Sequence, residues 1–312
     1  MRRKLINTNL LSCLWIFTIA LLITLSVNIT TFAASDFVII TNDEGRKVLT
    51  EYKGDDSIVV IPKGVQVVQG FQNNKKIKKV VLPESIEEIQ HSAFSGCTNL
   101  KTINFPENLN RIWTSAFLRC KSLKTINLNK NLKQIDEYAF GYCSNLKKVT
   151  VAKGNKYFKV KRGVLYSHNM KELYLYPPAL KSTKKFEMPK TVKLVYPCAF
   201  SDNKYLKKII IKSKLKNAPG DYDNCKSIET VIFKKACYAT PSFANCKKLK
   251  KVVLAEGTKR ICEYSFEGCR NLESINYPAS LKKIERYAFK GCKKLKQPIL
   301  PETVKVDEKA FD

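Results

Sequence analysis

Eleven cysteines and two histidines are the residues from which metal binding or nucleophilic catalysis would have to be assembled in this 312-residue chain. The histidines are His91 and His168. Zinc is held by clustered Cys and His ligands, commonly introduced by a close cysteine pair, and no C-x-x-C occurs here. Cys–His catalysis requires an imidazole beside one particular thiol, and nothing in the sequence sets either histidine there. No G-x-S-x-G, P-loop or Rossmann glycine pattern is present. The expectation is a protein with no catalytic residues, no metal and no cofactor.

Spacing explains the cysteines better than chemistry does. Cys97, Cys120, Cys143, Cys225, Cys246, Cys269 and Cys292 each stand three residues after an aromatic residue. Those aromatics recur in register. Phe71, Phe94, Phe117 and Phe140 stand at one constant interval, and Phe243, Phe266 and Phe289 keep it. Phe311 follows one position early, and Tyr222 fills the slot between Phe200 and Phe243. Self-similarity at a period in the twenties signals a solenoid, in which each coil buries its apolar face only against its neighbours.

The elements that position these residues follow the same register. Three residues after the cysteine slot comes an aliphatic anchor, as in Leu100, Leu123, Leu146 and Leu272. A short strand follows, with Ile103 and Phe105 on one side as a two-residue period requires. Pro83, Pro106, Pro189, Pro278 and Pro301 end the strands, because proline lacks the ladder donor. A second apolar pair such as Ile86/Ile89 or Leu281/Ile284 closes the coil. The register breaks once, between Phe140 and Phe200, where the interval exceeds two periods by more than half a period. Alternating apolar runs flank Ser167-His168-Asn169 within that stretch and read as a β-hairpin. Strand-like residues 37–61 are expected to cap the open N-terminal end, since an uncovered end exposes core and strand edges.

The unit C-x-x-L-x-x-I-x-F/L-P-x-x-L-x-x-I-x-x-x-A-F resembles the BspA-like (TpLRR-type) bacterial leucine-rich repeats, best at residues 97–117, 120–140 and 269–289. Residues 163–177 are similar to the G-V-L-Y … L-x-x-Y-P variant unit of the same proteins. Tyr222 in place of Phe, Asn74 and Asn203 in place of Cys, and Pro298 within a strand depart from the pattern. The resemblance implies a mainly β, curved leucine-rich-repeat solenoid of coils of about 23 residues with one β-hairpin insertion. It also implies a secreted or surface-exposed protein linked to adhesion, and carries no catalytic motif. The expected organisation is residues 1–34 for export, 35–70 as a β cap with a first degenerate coil, and 71–312 as the solenoid, with a variant unit at 150–186. The last residues, Phe311-Asp312, fall on a repeat, and no cell-wall sorting signal is read there.

The register makes a structural ladder of Asn74, Cys97, Cys120, Cys143, Asn203, Cys225, Cys246, Cys269 and Cys292. A small buried thiol, or an asparagine bonding the turn backbone, satisfies the same place in a coil. Disulfides remain the alternative in an exported chain, mainly among the off-register Cys198, Cys237 and Cys262.

The charge then has a geometry. Lys+Arg number 56 and Asp+Glu 27, so the net charge is 56 − 27 = +29. Arg2, Arg3 and Lys4 precede the apolar stretch 10–29, and small residues Thr31 to Ala34 follow, the order of a secretory signal. An uncleaved anchor is the second reading, since about 20 apolar residues span a bilayer, and lipid attachment at Cys13 is a third. With 44% hydrophobic residues the chain can bury a core, which excludes a disordered one. Lys78, Lys101, Lys124 and Lys147 repeat at the interval of the aromatics and should stack as a basic stripe. Beyond the break the same column reads Lys207, Glu229, Lys250, Glu273, Lys296 and neutralises itself. Exposed strand positions include Lys79, Thr102, Asn104, Thr125, Asn127, Lys148, Thr150, Lys208 and Lys251. Solvation of one face accounts for such a stripe, and so does attraction of an anionic polymer.

These features point to an exported, non-enzymatic repeat protein, secreted or at the cell surface. It would bind an extracellular protein or an acidic glycan through its strand face, in adhesion or surface interaction. The alternative is an envelope protein held by charge to an anionic cell-wall polymer. Export and the lack of a base-stacking motif speak against nucleic acid. A membrane would be met only through residues 1–34, if they stay uncleaved.

Overall fold

The computed structural model describes residues 36–181, 184–215 and 222–312. The export segment and Cys13 therefore lie outside the described residues. The chain divides into two units, Met1–Asp36 and Phe37–Asp312, and the second is a β-solenoid of about 11 turns. Among the described residues there is no α-helix.

Most coils contribute a strand to one parallel ladder and a two-residue segment to a second. The first ladder runs Ile58–Val60, Lys79–Val81, Thr102–Ile103, and after a gap in the pairing Thr125–Leu128 beside Lys148–Val151. It resumes with Lys185–Met188, Lys208–Ile211, Thr230–Phe233, Lys251–Val253 and Ser274–Ile275. Alternation puts Val80, Ile126, Val149, Ile209, Val231 and Val252 into the core. The last coil makes no strand around Pro298, and Ile299 is left wholly exposed. The second ladder includes Val67–Val68, Glu88–Ile89, Arg111–Ile112 and Gln134–Ile135. It is closed at its N-terminal edge by the antiparallel pair Phe37–Thr41 and Lys47–Tyr52. That pair is the cap; Ile58–Val60, grouped with it from the sequence, is instead the first strand of the solenoid.

The aromatic register is a column of stacked rings. Phe94 and Phe117 lie 5.4 Å apart and 6° from parallel, Phe117 and Phe140 5.3 Å and 3°, Phe243 and Phe266 5.8 Å and 4°. Tyr222 joins it between Phe200 and Phe243. Each such pair contributes about 0.5–1.5 kcal/mol beyond its buried area. Three members fall outside the period. Tyr52 and Phe37 extend the column into the cap. Tyr176 stacks on Phe200 at 5.4 Å, and its N–H donates to the Ala199 carbonyl at 2.8 Å. Phe94 makes the same bond to Ala116, and Phe117 to Ala139.

The long break between Phe140 and Phe200 is therefore two coils, one of them enlarged. Its extra residues form a three-stranded antiparallel meander, Phe158–Lys161, Val164–Ser167 and Glu172–Leu175, where a two-stranded hairpin was expected. The first turn is two residues long, with Arg162 at φ 51° and Gly163 at 79°, the type I′ geometry that matches strand twist. Phe158–Lys161 alternates apolar residues with Lys159 and Lys161 as a half-buried strand does, but is too short to stand out beside the two more apolar runs that follow.

All seven register cysteines make one contact. Cys97 Sγ donates to Phe71 O at 2.9 Å, Cys120 to Phe94 and Cys143 to Phe117 at 3.1 Å, Cys225 to Phe200 and Cys246 to Tyr222 at 3.2 Å, Cys269 to Phe243 and Cys292 to Phe266 at 3.1 Å. The thiol ties each turn to the aromatic residue of the coil before it. Burial raises six of these thiols, Cys120, Cys246 and Cys269 among them, and Cys97, Cys143 and Cys292 to about 12. No disulfide joins the off-register Cys198, Cys237 and Cys262 among the described residues. Cys198 sits at φ 61°, the left-handed place before Ala199 that Ser92 and Ser115 take before Ala93 and Ala116.

Candidate functional site

Two solvent-side rows run across the first ladder, because residues that do not enter the core must face out. In the N-terminal half one row is Ile58, Lys79 and Thr102, continued by Thr125 and Lys148. The second includes Val60 and Val81, with Asn127 beside Thr150. In the C-terminal half one row is Lys185, Lys208, Thr230, Lys251 and Ser274. Its companion is Glu187, Ile210, Ile232 and Val253, in which Ile210 is buried and Ile232 and Val253 are half-buried. The face there is a cationic and hydroxyl row beside an aliphatic one, displayed on a fixed backbone.

The sequence-predicted positions fare unequally. Lys79, Lys148 and Lys251 are exposed, while Lys208 is half-buried. Asn104 is spent internally: its side chain accepts from Leu82 N at 2.7 Å and donates to Leu82 O at 2.8 Å. Asn276 does the same for Leu254. Thr150 donates to Asn127 at 2.7 Å.

Lys78, Lys101, Lys124 and Lys147 are all exposed. Lys101 N bonds Lys78 O at 2.8 Å and Lys147 N bonds Lys124 O at 3.0 Å, the stacking of neighbouring coils. None of the four takes part in an ion pair among the described residues. Beyond the break Lys207 meets Glu229 at 2.5 Å and holds its carboxyl low. Glu273 pairs with Lys294 at 3.4 Å, where Lys296 was expected. Acidic residues concentrate on the second ladder. Glu88 there meets Arg46 at 2.7 Å and accepts from Trp113 Nε1 at 2.7 Å. Arg111 lies 3.3 Å over the Trp113 ring and reaches Asp136 at 3.0 Å. Composition alone gave no sign of this cluster.

The residues with catalytic potential stay apart. His91 is exposed and packs on the Trp113 ring at 4.9 Å, and His168 lies exposed at a turn of the meander. Among the described residues no three His, Cys, Asp or Glu side chains group as a metal site requires.

The repeat itself decides the family. The model of the BspA type leucine rich repeat region matches in six copies over residues 68–177, 178–296 and 238–312. The chain belongs to the BspA-type leucine-rich repeat family. A crystal structure of a leucine-rich repeat protein from Eubacterium ventriosum shares 22% identity and a TM-score of 0.68, covering 89% of this chain and 93% of that one. A leucine rich cell surface protein from Faecalibacterium prausnitzii gives 20%, 0.49, 90% and 96%. The pneumococcal vaccine antigen PcpA gives 19%, 0.45, 86% and 90%. Among curated proteins none matches.

Two departures from the BspA-type unit have visible solutions. Where Cys gives way to Asn, the side chain turns to its own coil: Asn74 Oδ1 accepts from Lys76 N and Ile77 N, and Asn203 Oδ1 from Tyr205 N and Leu206 N. The turn is still tied, by a different bond.

Proposed function

We propose that this BspA-type repeat protein is exported and non-enzymatic, and that it holds an extracellular macromolecule against its strand face. The observation that carries the reading is the pair of rows across the C-terminal half, Lys185–Lys208–Thr230–Lys251 beside the half-buried Ile232 and Val253. A preformed surface loses little conformational entropy on binding, so many weak contacts add up. An array of matrix proteins and acidic glycans, probed with the chain and with its Ile232→Glu/Val253→Glu variant, tests it. Binding lost in the variant and kept at high salt is the expected result. Equal binding by both removes the face from the reading.

The unpaired stripe favours a second reading, retention on an anionic cell-wall polymer. Its contribution would be long-range and salt-sensitive. Changing Lys78, Lys101, Lys124 and Lys147 to Glu should lower the salt at which the protein leaves a heparin column. Unchanged elution removes the stripe.

A further inference from the structure

The first ladder is interrupted between Thr102–Ile103 and Thr125–Leu128, and again where the enlarged coil leaves it. Among the described strands Lys148–Val151 pairs with Thr125–Leu128 and not with Lys185–Met188, which pairs with Lys208–Ile211. Yet the neighbouring turns stay stacked, Ala179 N bonding Leu146 O at 2.9 Å. The coils splay at the strands, and Lys185–Met188 becomes an edge. Lys208 N bonds Lys184 O at 3.0 Å, so alternation turns the backbone of residues 184, 186 and 188 toward the ladder and that of Glu187 outward. Among the described residues no backbone bond meets Glu187 from that side.

A cleft of about 580 Å³ lies along this edge, facing the tip of the meander. Its apolar lining includes Val164, Tyr166, Phe186 and Met188. Phe186 pairs in register with the fully buried Ile209, but at the open edge it is only half-buried. The rim carries Lys161, Arg162 and Lys190, all exposed. The single acid in the lining, Glu187, is held by Lys185 at 2.6 Å and Lys212 at 2.5 Å. Its size is within the range of ligand sites.

We propose that this cleft binds an extended acidic peptide segment of a partner protein, which adds as a strand beside Lys185–Met188. An exposed strand edge offers main-chain bonds that any extended peptide can make. Selectivity comes from an apolar side chain entered against Phe186 and from acidic side chains meeting Lys161, Arg162 and Lys190. A glycan would answer the charge but not the strand edge. The site shares Lys185 and Glu187 with the ends of those rows but not Ile232 or Val253, and does not rest on binding there.

Random heptapeptides displayed on phage and selected on the whole chain at about 0.15 M salt provide the probe. Enrichment of Asp and Glu around one aromatic or aliphatic residue is expected. The synthetic form of the leading peptide should bind about tenfold more weakly to Arg162→Asn/Lys190→Glu and to Glu187→Pro. Asparagine tolerates the left-handed turn at 162. Proline at 187 deletes the outward donor together with the carboxylate that holds Lys185 and Lys212. Releasing two cations can only favour an acidic peptide, so weaker binding there reports the lost main-chain bond. Ile232→Glu/Val253→Glu should leave that affinity unchanged. No acidic consensus, or equal affinity for either cleft variant, overturns the proposal. Dextran sulfate bound through Arg162 and Lys190 with no peptide selected would make the occupant a glycan and overturn it as well.

Discussion

The thiol of Cys120 donates to the carbonyl of Phe94, 3.1 Å away and 26 residues earlier in the chain. That carbonyl also accepts Cys97 N at 3.1 Å within its own turn. One oxygen thus joins the closure of a turn to the stacking of the next coil. A weak donor suffices, because the site is dry and the partner is fixed.

Cys120→Ala should cost about 1–3 kcal/mol, from the lost bond and the small void. Cys292→Ala should cost less, since Cys292 lies nearer the end of the column and is 9% exposed. Urea unfolding of the two variants checks the order; equal losses would contradict it.

Alkali should loosen the fold through the same column. Burial raises Cys120, Cys246 and Cys269 as well as the thiols at about 12. Above about pH 9 the unfolded chain sheds protons that the folded chain keeps. Stability is therefore full below that pH and falls as pH rises toward 12, by up to about 1.4 kcal/mol per unit for each thiol. Urea midpoints under reductant should be lower at pH 10.5 than at pH 8.

Alkylation offers a second view of those thiols. Among the described cysteines only Cys262 is as little as half-buried. Iodoacetamide at neutral pH should modify it before any register cysteine, with the others reacting in urea. Mass mapping that finds Cys97 or Cys143 modified first would count against a closed column.

Gly268 and Gly291 both precede a register cysteine with positive φ, 67° and 72°. A Cβ at Gly268 would lie 2.6 Å from Asn245 Oδ1, whereas the nearest atom to one at Gly291 is 3.7 Å away. Both alanine variants carry the left-handed strain of about 1–2 kcal/mol. Gly268→Ala should lose more, by about 1 kcal/mol, as Asn245 is displaced. Thermal unfolding ranks them.

The lysine stripe should press on the fold whatever it binds. Lys101→Glu places an acid between Lys78 and Lys124 and should raise the urea midpoint at low salt by a fraction of a kcal/mol. The gain should shrink as salt screens it. A loss at low salt would mean the column does not stack.

Much of the fold was legible because a solenoid repeats its local surroundings. The period placed the strands at Lys79–Val81 and Lys251–Val253, and the cysteine slot beside each turn. Tyr176 was not legible, because its distance from Phe140 is stretched well beyond one period by a meander that could have gone anywhere. Tyr52 was missed for the opposite reason, standing less than a full period before Phe71. At the face, alternation identified which residues point outward. It could not show that Asn104 is spent on Leu82, or that Glu229 answers Lys207.

By itself the amino-acid order determined the family, the coil and the column of rings and thiols, since each depends on contacts that recur at one spacing. Only the tertiary structure decided where the ladder breaks and what the break exposes. The edge at Lys185–Met188, the cleft beside Phe186 and the clamp of Glu187 by Lys185 and Lys212 join residues from different coils. Their meeting depends on how far one enlarged coil pushes its neighbours apart, which no spacing in the chain encodes.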